Sequence, residues 1–246
     1  MTTPQLVAHR GYPEHYPENT LVGFDAAIRA GARFIETDIQ LSSDQVPVLF
    51  HDRDLKRLCD VTGAVHDYTY AELQKFRASE PTRFSDRFQD TPIATLAELS
   101  QLLKKNSNVT AFIELKRSSL KRFGVDATLS AVKQKLNPIL EQSVLISYEL
   151  EALLAARRQG WAQIGVVIDY WDEHTQKIIS EIGPQYLFCD VDGLPRAGGL
   201  KHQNARLAVF EITDPAQAMT LAARGIELIE TFAVGEMLAQ LQRLAR

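Results

Sequence analysis

The sequence predicts an α/β protein built as a TIM (β/α)8 barrel with a β-hairpin excursion after strand 2. Short apolar runs rich in β-branched residues, such as LVA, VLI and IGVVI, alternate with longer amphipathic stretches. Strands that are apolar on both faces are typical of parallel sheets covered by helices, and their alternation with helices indicates βα units. Nine strand candidates are present, and one of them cannot run parallel to its predecessor.

The strand and helix candidates follow one another along the whole chain. Strands are predicted over residues 6–9, 34–40, 46–50, 111–115, 144–147, 164–168, 186–189, 207–212 and 226–229. Helices are predicted over residues 21–30, 71–78, 96–104, 125–135, 150–159, 175–182, 215–224 and 235–246. The polar, proline-containing stretch 79–92 is predicted to be a loop at the rim of the barrel.

The connection between the second and third strands decides the fold. Only Ser-Ser-Asp-Gln separates Leu41 from Val46, whereas a parallel crossover needs about a dozen residues. The third strand is therefore predicted to run antiparallel in a hairpin. Without it, eight parallel strands remain, which is the number in a TIM barrel.

The hairpin also predicts where its second strand leads. A turn centred on Ser43 and Asp44 pairs Leu41 with Val46, and counting back from this pair places His51 opposite Glu36. His51 is thus expected at the same end of the barrel as the acidic residues of strand 2.

The composition limits the classes of function. The chain has 246 residues, is 45% hydrophobic and carries a net charge of −4, which predicts one globular domain over residues 1–246 and no nucleic-acid partner. No apolar run approaches the ~20 residues of a membrane span, and the amino terminus lacks the pattern of a secretory signal. Stable membrane insertion is therefore not expected. Two distant cysteines, Cys59 and Cys189, predict free thiols and a cytoplasmic location.

Three carboxylates are candidate metal ligands. Glu36 and Asp38 lie two residues apart on strand 2, so their side chains share a face. Glu114 and Lys116 repeat this spacing at the end of the fourth strand. Because the carboxyl ends of barrel strands form one rim, the three acids are expected to converge there. Such a cluster suits a hard divalent cation, Mg²⁺ or Ca²⁺; the alternative is a structural salt bridge from Glu36 and Asp38 to Arg33 or Arg10.

Two histidines and two fixed cations complete the candidate site. His9 and Arg10 end strand 1, and His51 follows the hairpin, with Asp52 beside it to orient a ring nitrogen. Two imidazoles can act as base and acid near neutral pH, while Arg10 and Lys116 can stabilise charge on phosphoryl oxygens. Metal-assisted cleavage of a phosphodiester is the reaction class that uses all of these groups.

Several motifs in this order resemble the glycerophosphodiester phosphodiesterase family. They are HRG at residues 9–11, PENT at 17–20, ETDIQLSSDQVPVLFHD at 36–52, VTG at 61–63 and IELK at 113–116. The third matches the long E-x-D…HD signature of the family almost throughout. The resemblance implies a TIM barrel that hydrolyses glycerophosphodiesters to glycerol 3-phosphate and an alcohol.

The resemblance also implies roles for individual residues. In the implied mechanism, the glycerol 2-hydroxyl attacks phosphorus and gives a cyclic phosphate, which water then opens. Which histidine acts as the base stays open. By position, the metal ligands are Glu36, Asp38 and Glu114, the acid/base pair is His9 and His51, the phosphate contacts are Arg10 and Lys116, and the aromatic pocket surface is Phe210.

The carboxyl-terminal half departs from the family pattern. The family usually has a Trp-Thr-Val-Asn-like run where this chain reads VFEIT at residues 209–213, and an Ile-Thr-Asp where it reads IETF at 229–232. Phe210 keeps an aromatic side chain, but Glu211 and Glu230 are additional acids. They are predicted either to favour a cationic alcohol such as choline or ethanolamine, or to pair with Arg206 or another base at the rim.

Three other functions fit parts of the pattern. The first is a related phosphodiesterase of the same superfamily that acts on phospholipids or lysophospholipids at a membrane. The second is metal-assisted proton abstraction beside a carboxylate with Lys116 as the base, which gives one histidine no task. The third is a non-catalytic binding barrel in which the acids are salt-bridged. The preferred alcohol, the choice between Mg²⁺ and Ca²⁺ and the oligomeric state are left open.

Overall fold

The computed structural model describes residues 3–201 and 205–244, except for the side chains of residues 173–176 and 178. The strands within these ranges are β1 (Gln5–His9), β2 (Phe34–Leu41), β3 (Pro47–Leu49), β4 (Thr110–Leu115), β5 (Ser143–Ser147), β6 (Ile164–Ile168), β7 (Tyr186–Asp190), β8 (Arg206–Phe210) and β9 (Leu228–Thr231). The last two residues of the helix predicted over 235–246 lie outside the described ranges.

The strands form a closed barrel. Eight of them run parallel, and β1 pairs with both β2 and β9, which closes the sheet. The remaining strand, β3, pairs antiparallel with β2 at one edge of the sheet order. The predicted TIM barrel with a hairpin excursion after strand 2 is therefore confirmed.

Helices surround the barrel, and short helices also follow the hairpin excursion. They are α1 (Leu21–Arg29), α2 (Lys56–Cys59), α3 (Tyr70–Leu73), α4 (Pro81–Phe84), α5 (Leu96–Lys104), α6 (Arg117–Phe123), α7 (Val125–Leu136), α8 (Leu150–Arg158), α9 (Glu173–Ile182), α10 (Pro215–Ala223) and α11 (Val234–Leu244). Short 3₁₀ turns cover Val65–Asp67, Asn137–Gln142 and Val191–Gly193. Among the described residues, no helix combines the length and apolar character needed to cross a lipid bilayer.

Successive side chains of β2 point alternately outward, toward the helices, and inward, toward the barrel interior and the candidate site. Ile35 and Ile39 face outward into the core between barrel and helices. Phe34 faces inward and packs with Phe112 in the apolar interior of the barrel, where their rings stack at 5.9 Å. Because side chains alternate along a strand, Glu36 and Asp38 share the inward face and lie progressively closer to the carboxyl end.

A third apolar cluster holds the hairpin excursion in place. Val48 and Phe50 are fully buried against Leu55, Leu58 and Leu73, which belong to the chain around α2 and α3. This packing fixes the segment that carries His51.

The hairpin register differs by one residue from the prediction. Leu41 pairs with Pro47 rather than Val46, because the turn takes one more residue. In this register the position opposite His51 is Thr37, so the predicted pairing of His51 with Glu36 is wrong. His51 still reaches the site because β3 ends at Leu49 and the chain beyond it leaves regular strand geometry.

Two local predictions are also corrected. The helix predicted over 71–78 is only the single turn α3, because Ala78 donates its N–H to Thr91 and Arg77 bridges to Pro92 instead of continuing the helix. The predicted rim loop 79–92 contains α4, and it buries Glu80.

Cys59 and Cys189 are free thiols.

Candidate active site

The turn after β1 aims two predicted site residues into the barrel mouth. Arg10 and Gly11 both have positive φ, 55° and 94°, so the chain reverses sharply. A Cβ on Gly11 would lie 3.1 Å from backbone atoms of Gly23 and Phe24. Glycine is therefore required both for the backbone conformation and for the close approach of this turn to α1.

All eight predicted site residues lie at the carboxyl ends of the strands. Glu36 and Asp38, each 1% exposed, lie among charged partners from neighbouring strands. The other six line one pocket: His9, Arg10, His51, Glu114, Lys116 and Phe210. Tyr148, which directly follows β5, also lines it.

The three carboxylates form one cluster. Glu36, Asp38 and Glu114 each offer an oxygen within 4.8 Å of the others. Lys116 Nζ lies 3.1 Å from Asp38 Oδ1 and 2.8 Å from Glu114 Oε1, and Arg10 Nε lies 3.2 Å from Asp38 Oδ2. The cluster and the predicted salt bridge to Arg10 therefore coexist, with Asp38 at the centre of both.

Neighbouring positive charges compensate the negative charge of Asp38 better than that of Glu36. Burial, and then the charges of Asp38 and Glu230, raise the pKa of Glu36 well above its ordinary value. Burial also acts to raise the pKa of Asp38, but Lys116 and Arg10 hold it well below its usual range. The Glu36 atom Oε1 is buried and has no hydrogen-bond partner. A buried, unpartnered carboxylate oxygen beside two other acids is what a hard divalent cation would satisfy.

His9 is held on three sides. Its Nδ1 lies 2.5 Å from Glu211 Oε2, and its ring stacks on Phe232 with centroids 4.9 Å apart. Its Nε2 lies 3.7 Å from Glu36 Oε2 and 3.9 Å from Glu230 Oε2. Burial, followed by the positive charge of Arg10, lowers the pKa of His9 well below its ordinary value, which favours the neutral imidazole.

His51 belongs to a chain of charged contacts. Its Nδ1 lies 2.8 Å from Asp52 Oδ1, the contact expected from the sequence. Arg57 donates to both Asp52 oxygens, at 2.6 and 2.9 Å, and to both Glu18 oxygens, at 2.7 Å each. Burial opposes ionisation of Asp52, but hydrogen bonds from His51 and Arg57 keep its pKa below the usual range.

Several residues of the site have partners that the sequence did not indicate. No sequence pattern pointed to Arg57, and Glu18 appeared only within the PENT motif, without a role. The predicted pairing of the additional acids with Arg206 is wrong, because Arg206 pairs with Glu227 at 2.9 Å; Glu211 instead contacts another base at the rim, His9. Glu230 lines the pocket with its Oε1 unpartnered.

The fold and the pocket place the chain in the class of TIM barrels that bind small polar ligands at the carboxyl ends of their strands. Residues 9–190 match the model of the glycerophosphoryl diester phosphodiesterase family. The chain therefore belongs to this family.

Individual relatives agree with the family assignment. The chain is 35% identical over 144 residues to a glycerophosphodiester phosphodiesterase of Bacillus altitudinis, a match covering 58% of this chain and 57% of the relative. It is 32% identical over 153 residues to human glycerophosphodiester phosphodiesterase 1, covering 62% of this chain and 45% of the relative. The matched segment thus spans about half the length of these curated relatives.

Solved structures share the fold over almost the whole chain. A phosphodiesterase of Oleispira antarctica, solved in complex with the product sn-glycerol-3-phosphate, superposes with a TM-score of 0.85 at 22% identity, covering 98% of this chain and 97% of the other. A glycerophosphodiester phosphodiesterase of Thermotoga maritima gives a TM-score of 0.72 at 24% identity, covering 98% and 99%.

Proposed function

We propose that the protein hydrolyses glycerophosphodiesters to glycerol 3-phosphate and an alcohol with the help of a divalent cation. The observation that carries this proposal is a pocket lined by two histidines and two fixed cations, which also reaches Glu114 of the cluster of three carboxylates. Family membership and the activity for which its relatives are named support it.

The cation site we propose consists of Glu36, Asp38 and Glu114. Their donor atoms are all carboxylate oxygens, which suits Mg²⁺ or Ca²⁺, and Glu36 Oε1 lacks a partner within the protein. When bound, the ion would supply Lewis-acid stabilisation of negative charge on the phosphoryl oxygens.

Arg10 and Lys116 are the proposed phosphate contacts. Both line the pocket, and each also pairs with Asp38, so their positively charged groups are fixed at its floor. Burial acts to lower the pKa of Lys116, but Asp38 and Glu114 raise it above its ordinary value. Lys116 therefore stays protonated at neutral pH, which supports a role in charge stabilisation and disfavours Lys116 as a base.

His9 and His51 are the proposed proton carriers. One takes the proton of the glycerol 2-hydroxyl as that oxygen bonds to phosphorus, and the other gives a proton to the alcohol oxygen as its bond to phosphorus breaks. The product of this step is a cyclic phosphate. In the second step water adds to phosphorus, and the second histidine takes a proton from this water. The bond between phosphorus and the 2-oxygen breaks, and the first histidine returns its proton to the 2-oxygen.

The direct test is release of glycerol 3-phosphate from glycerophosphocholine by the purified protein, with added Mg²⁺ or Ca²⁺ and with a chelator. We expect turnover with one or both ions and none after chelation. Turnover that resists chelation would remove the cation from the proposal, and no turnover under any of these conditions would overturn it.

A parallel assay with lysophosphatidylcholine distinguishes the phospholipid alternative. We expect a much lower kcat/KM for the lysophospholipid than for glycerophosphocholine. The reverse preference would favour a phosphodiesterase that acts on intact lipid substrates.

A further inference from the structure

Glu211 contacts a proposed catalytic histidine from the opposite end of the sequence. It directly follows β8, and its Oε2 lies 2.5 Å from Nδ1 of His9, the last residue of β1. The two residues are 202 positions apart. Since β9 lies between β1 and β8 in the sheet, this contact crosses the barrel mouth above the end of β9.

Both oxygens of the Glu211 carboxylate are engaged. Oε1 accepts the backbone N–H of Phe232 at 2.6 Å, and Oε2 faces His9 Nδ1. The ring of Phe232 stacks on His9 with an interplanar angle of 17°. The residue after β9 thus fixes both the carboxylate and the imidazole, which leaves His9 little freedom to rotate or flip.

We propose that Glu211 is a positioning residue for His9, which accepts the Nδ1–H proton and so fixes the tautomer whose Nε2 is unprotonated. This inference rests on the proposed function, in which His9 carries a proton. A carboxylate on one ring nitrogen determines which nitrogen bears the proton and raises the basicity of the other. Here the other nitrogen, Nε2, lies on the side of Glu36 and Glu230.

This arrangement argues against Glu211 as a binding group for a cationic alcohol. A carboxylate with both oxygens already bonded to fixed partners offers less to a ligand than one with an open oxygen. Asp52 is the matching partner of His51, but it follows that histidine directly in sequence and is also held by Arg57. The two histidines therefore obtain the same Nδ1 contact from unrelated parts of the chain.

Replacement of the Glu211 carboxylate by an amide distinguishes its contact with Phe232 from its contact with His9. Phe232 N–H needs an acceptor, and His9 Nδ1–H needs another. Glutamine has the same shape but only one acceptor and one donor group. If the glutamine oxygen keeps accepting from the Phe232 N–H, the glutamine NH₂ group faces His9 Nδ1. Nδ1 must then accept a hydrogen bond, so the ring proton moves to Nε2. Such a change of tautomer lowers turnover in the serine-protease triad by about 10⁴-fold.

The experiment compares the wild type with Glu211→Gln, and uses Glu227→Gln as the matched control. Glu227 pairs with Arg206 beneath the barrel, at the ends of the strands away from the pocket. Long-range ¹H–¹⁵N correlation spectra of the metal-free proteins report the tautomer of each histidine, and His9→Gln assigns the His9 signals. Steady-state kinetics with glycerophosphocholine then give kcat and KM separately.

We expect the proton of His9 on Nδ1 in the wild type and in Glu227→Gln, and on Nε2 in Glu211→Gln. We expect kcat of Glu211→Gln to fall by about 10²-fold or more, within the range of general acid–base contributions, with KM close to the wild-type value. Wild-type ¹⁵N shifts together with wild-type kcat in Glu211→Gln would overturn the inference.

A second variant keeps the inference testable if Glu211→Gln fails to fold. Glu211→Asp keeps the charge but is one methylene shorter, so it cannot reach both partners at once. We expect kcat between those of the wild type and the glutamine variant; an unchanged kcat and unchanged His9 shifts would overturn the inference. If the wild type itself releases no glycerol 3-phosphate, the proposed function fails, while the tautomer spectra still decide whether Glu211 orients His9.

Discussion

Asn19 binds Asp38 through both ends of its side-chain amide. Its Nδ2 donates to Asp38 Oδ2 at 2.9 Å, and its Oδ1 accepts from the Asp38 backbone N–H at 3.2 Å and from the Thr37 hydroxyl at 2.8 Å. Asn19 is 2% exposed and has a φ of 54°, a conformation that asparagine tolerates better than most residues. One buried amide thus orients the central carboxylate of the cluster.

Asn19→Ala is expected to destabilise the fold. It leaves buried polar groups of Asp38 and Thr37 without their partner, which costs about 1–3 kcal/mol. Alanine also tolerates the left-handed backbone conformation of this position less well than asparagine, at a further cost of about 1 kcal/mol. Urea unfolding gives the free energy of unfolding for each protein.

Asn19→Gly is the matched control, because it removes the same hydrogen bonds but relieves the backbone. We expect it to be more stable than Asn19→Ala and less stable than the wild type. An alanine variant as stable as the wild type would show that the amide does not hold Asp38 in place.

The fold and the cluster were predictable because they depend on local patterns. The two-residue spacing of Glu36 and Asp38 fixes their common face, and the four-residue connection after Leu41 forces a hairpin. These constraints follow from strand geometry alone. The one-residue error in the hairpin register has the same origin, since turn length cannot be read reliably from four polar residues.

The partners of the histidines were less predictable. Asp52 was expected beside His51 because it is its neighbour in sequence, whereas Glu211 is 202 positions from His9. Glu18 and Asn19 lie just before α1, where polar residues commonly cap a helix, so no sequence pattern pointed to their contacts in the site. Only Thr20 caps α1, by accepting from the N–H of Gly23. Contacts across the barrel mouth arise from closure of the sheet, which no local pattern encodes.

His9→Ala and His51→Ala are each expected to lower kcat for glycerophosphodiester hydrolysis by about 10²–10⁴-fold, the usual contribution of a general acid or base. His15→Ala is the control, because His15 is half exposed and contacts Glu236 outside the pocket. Glycerol 3-phosphate release measures turnover, and circular dichroism checks that each variant is folded. Full activity in either of the first two variants would show that this histidine carries no proton in the reaction.

Both cysteine thiols are expected to react slowly in the folded protein. Burial raises the pKa of Cys59 and of Cys189 to about 12. At pH 8 the thiolate fraction is then about 10³-fold lower than that of an exposed thiol with a pKa of about 8.5. Iodoacetamide labelling followed by mass spectrometry should show this difference between the native protein and the protein in urea, and equal rates would contradict it.

The same raised pKa values give a sign for the pH dependence of stability. Below about pH 8.5 the thiols are protonated in both the folded and unfolded states. Between that pH and about 12 the unfolded chain releases these protons and the folded protein does not. The contribution of the thiols to the free energy of unfolding therefore falls as the pH rises through this window. Urea unfolding of Cys59→Ser and Cys189→Ser should show a weaker decline than the wild type.

Glu36→Gln is expected to stabilise the protein against heat when a chelator is present. Glu36 is buried beside Asp38 and close to Glu230, and its Oε1 has no partner. Without a cation this carboxyl group must either stay charged beside other acids or take up a proton, and a neutral amide avoids both costs. Glu227→Gln, which lies far from the cluster, should leave the Tm in chelator almost unchanged. Added Mg²⁺ or Ca²⁺ should raise the Tm of the wild type and of the control, because an ion that binds the folded state stabilises it, and should raise that of Glu36→Gln much less. Two results would mean that the three carboxylates form a salt-bridged cluster rather than a cation site. One is a wild-type Tm that neither ion raises, and the other is a Glu36→Gln variant with a lower Tm than the wild type in chelator.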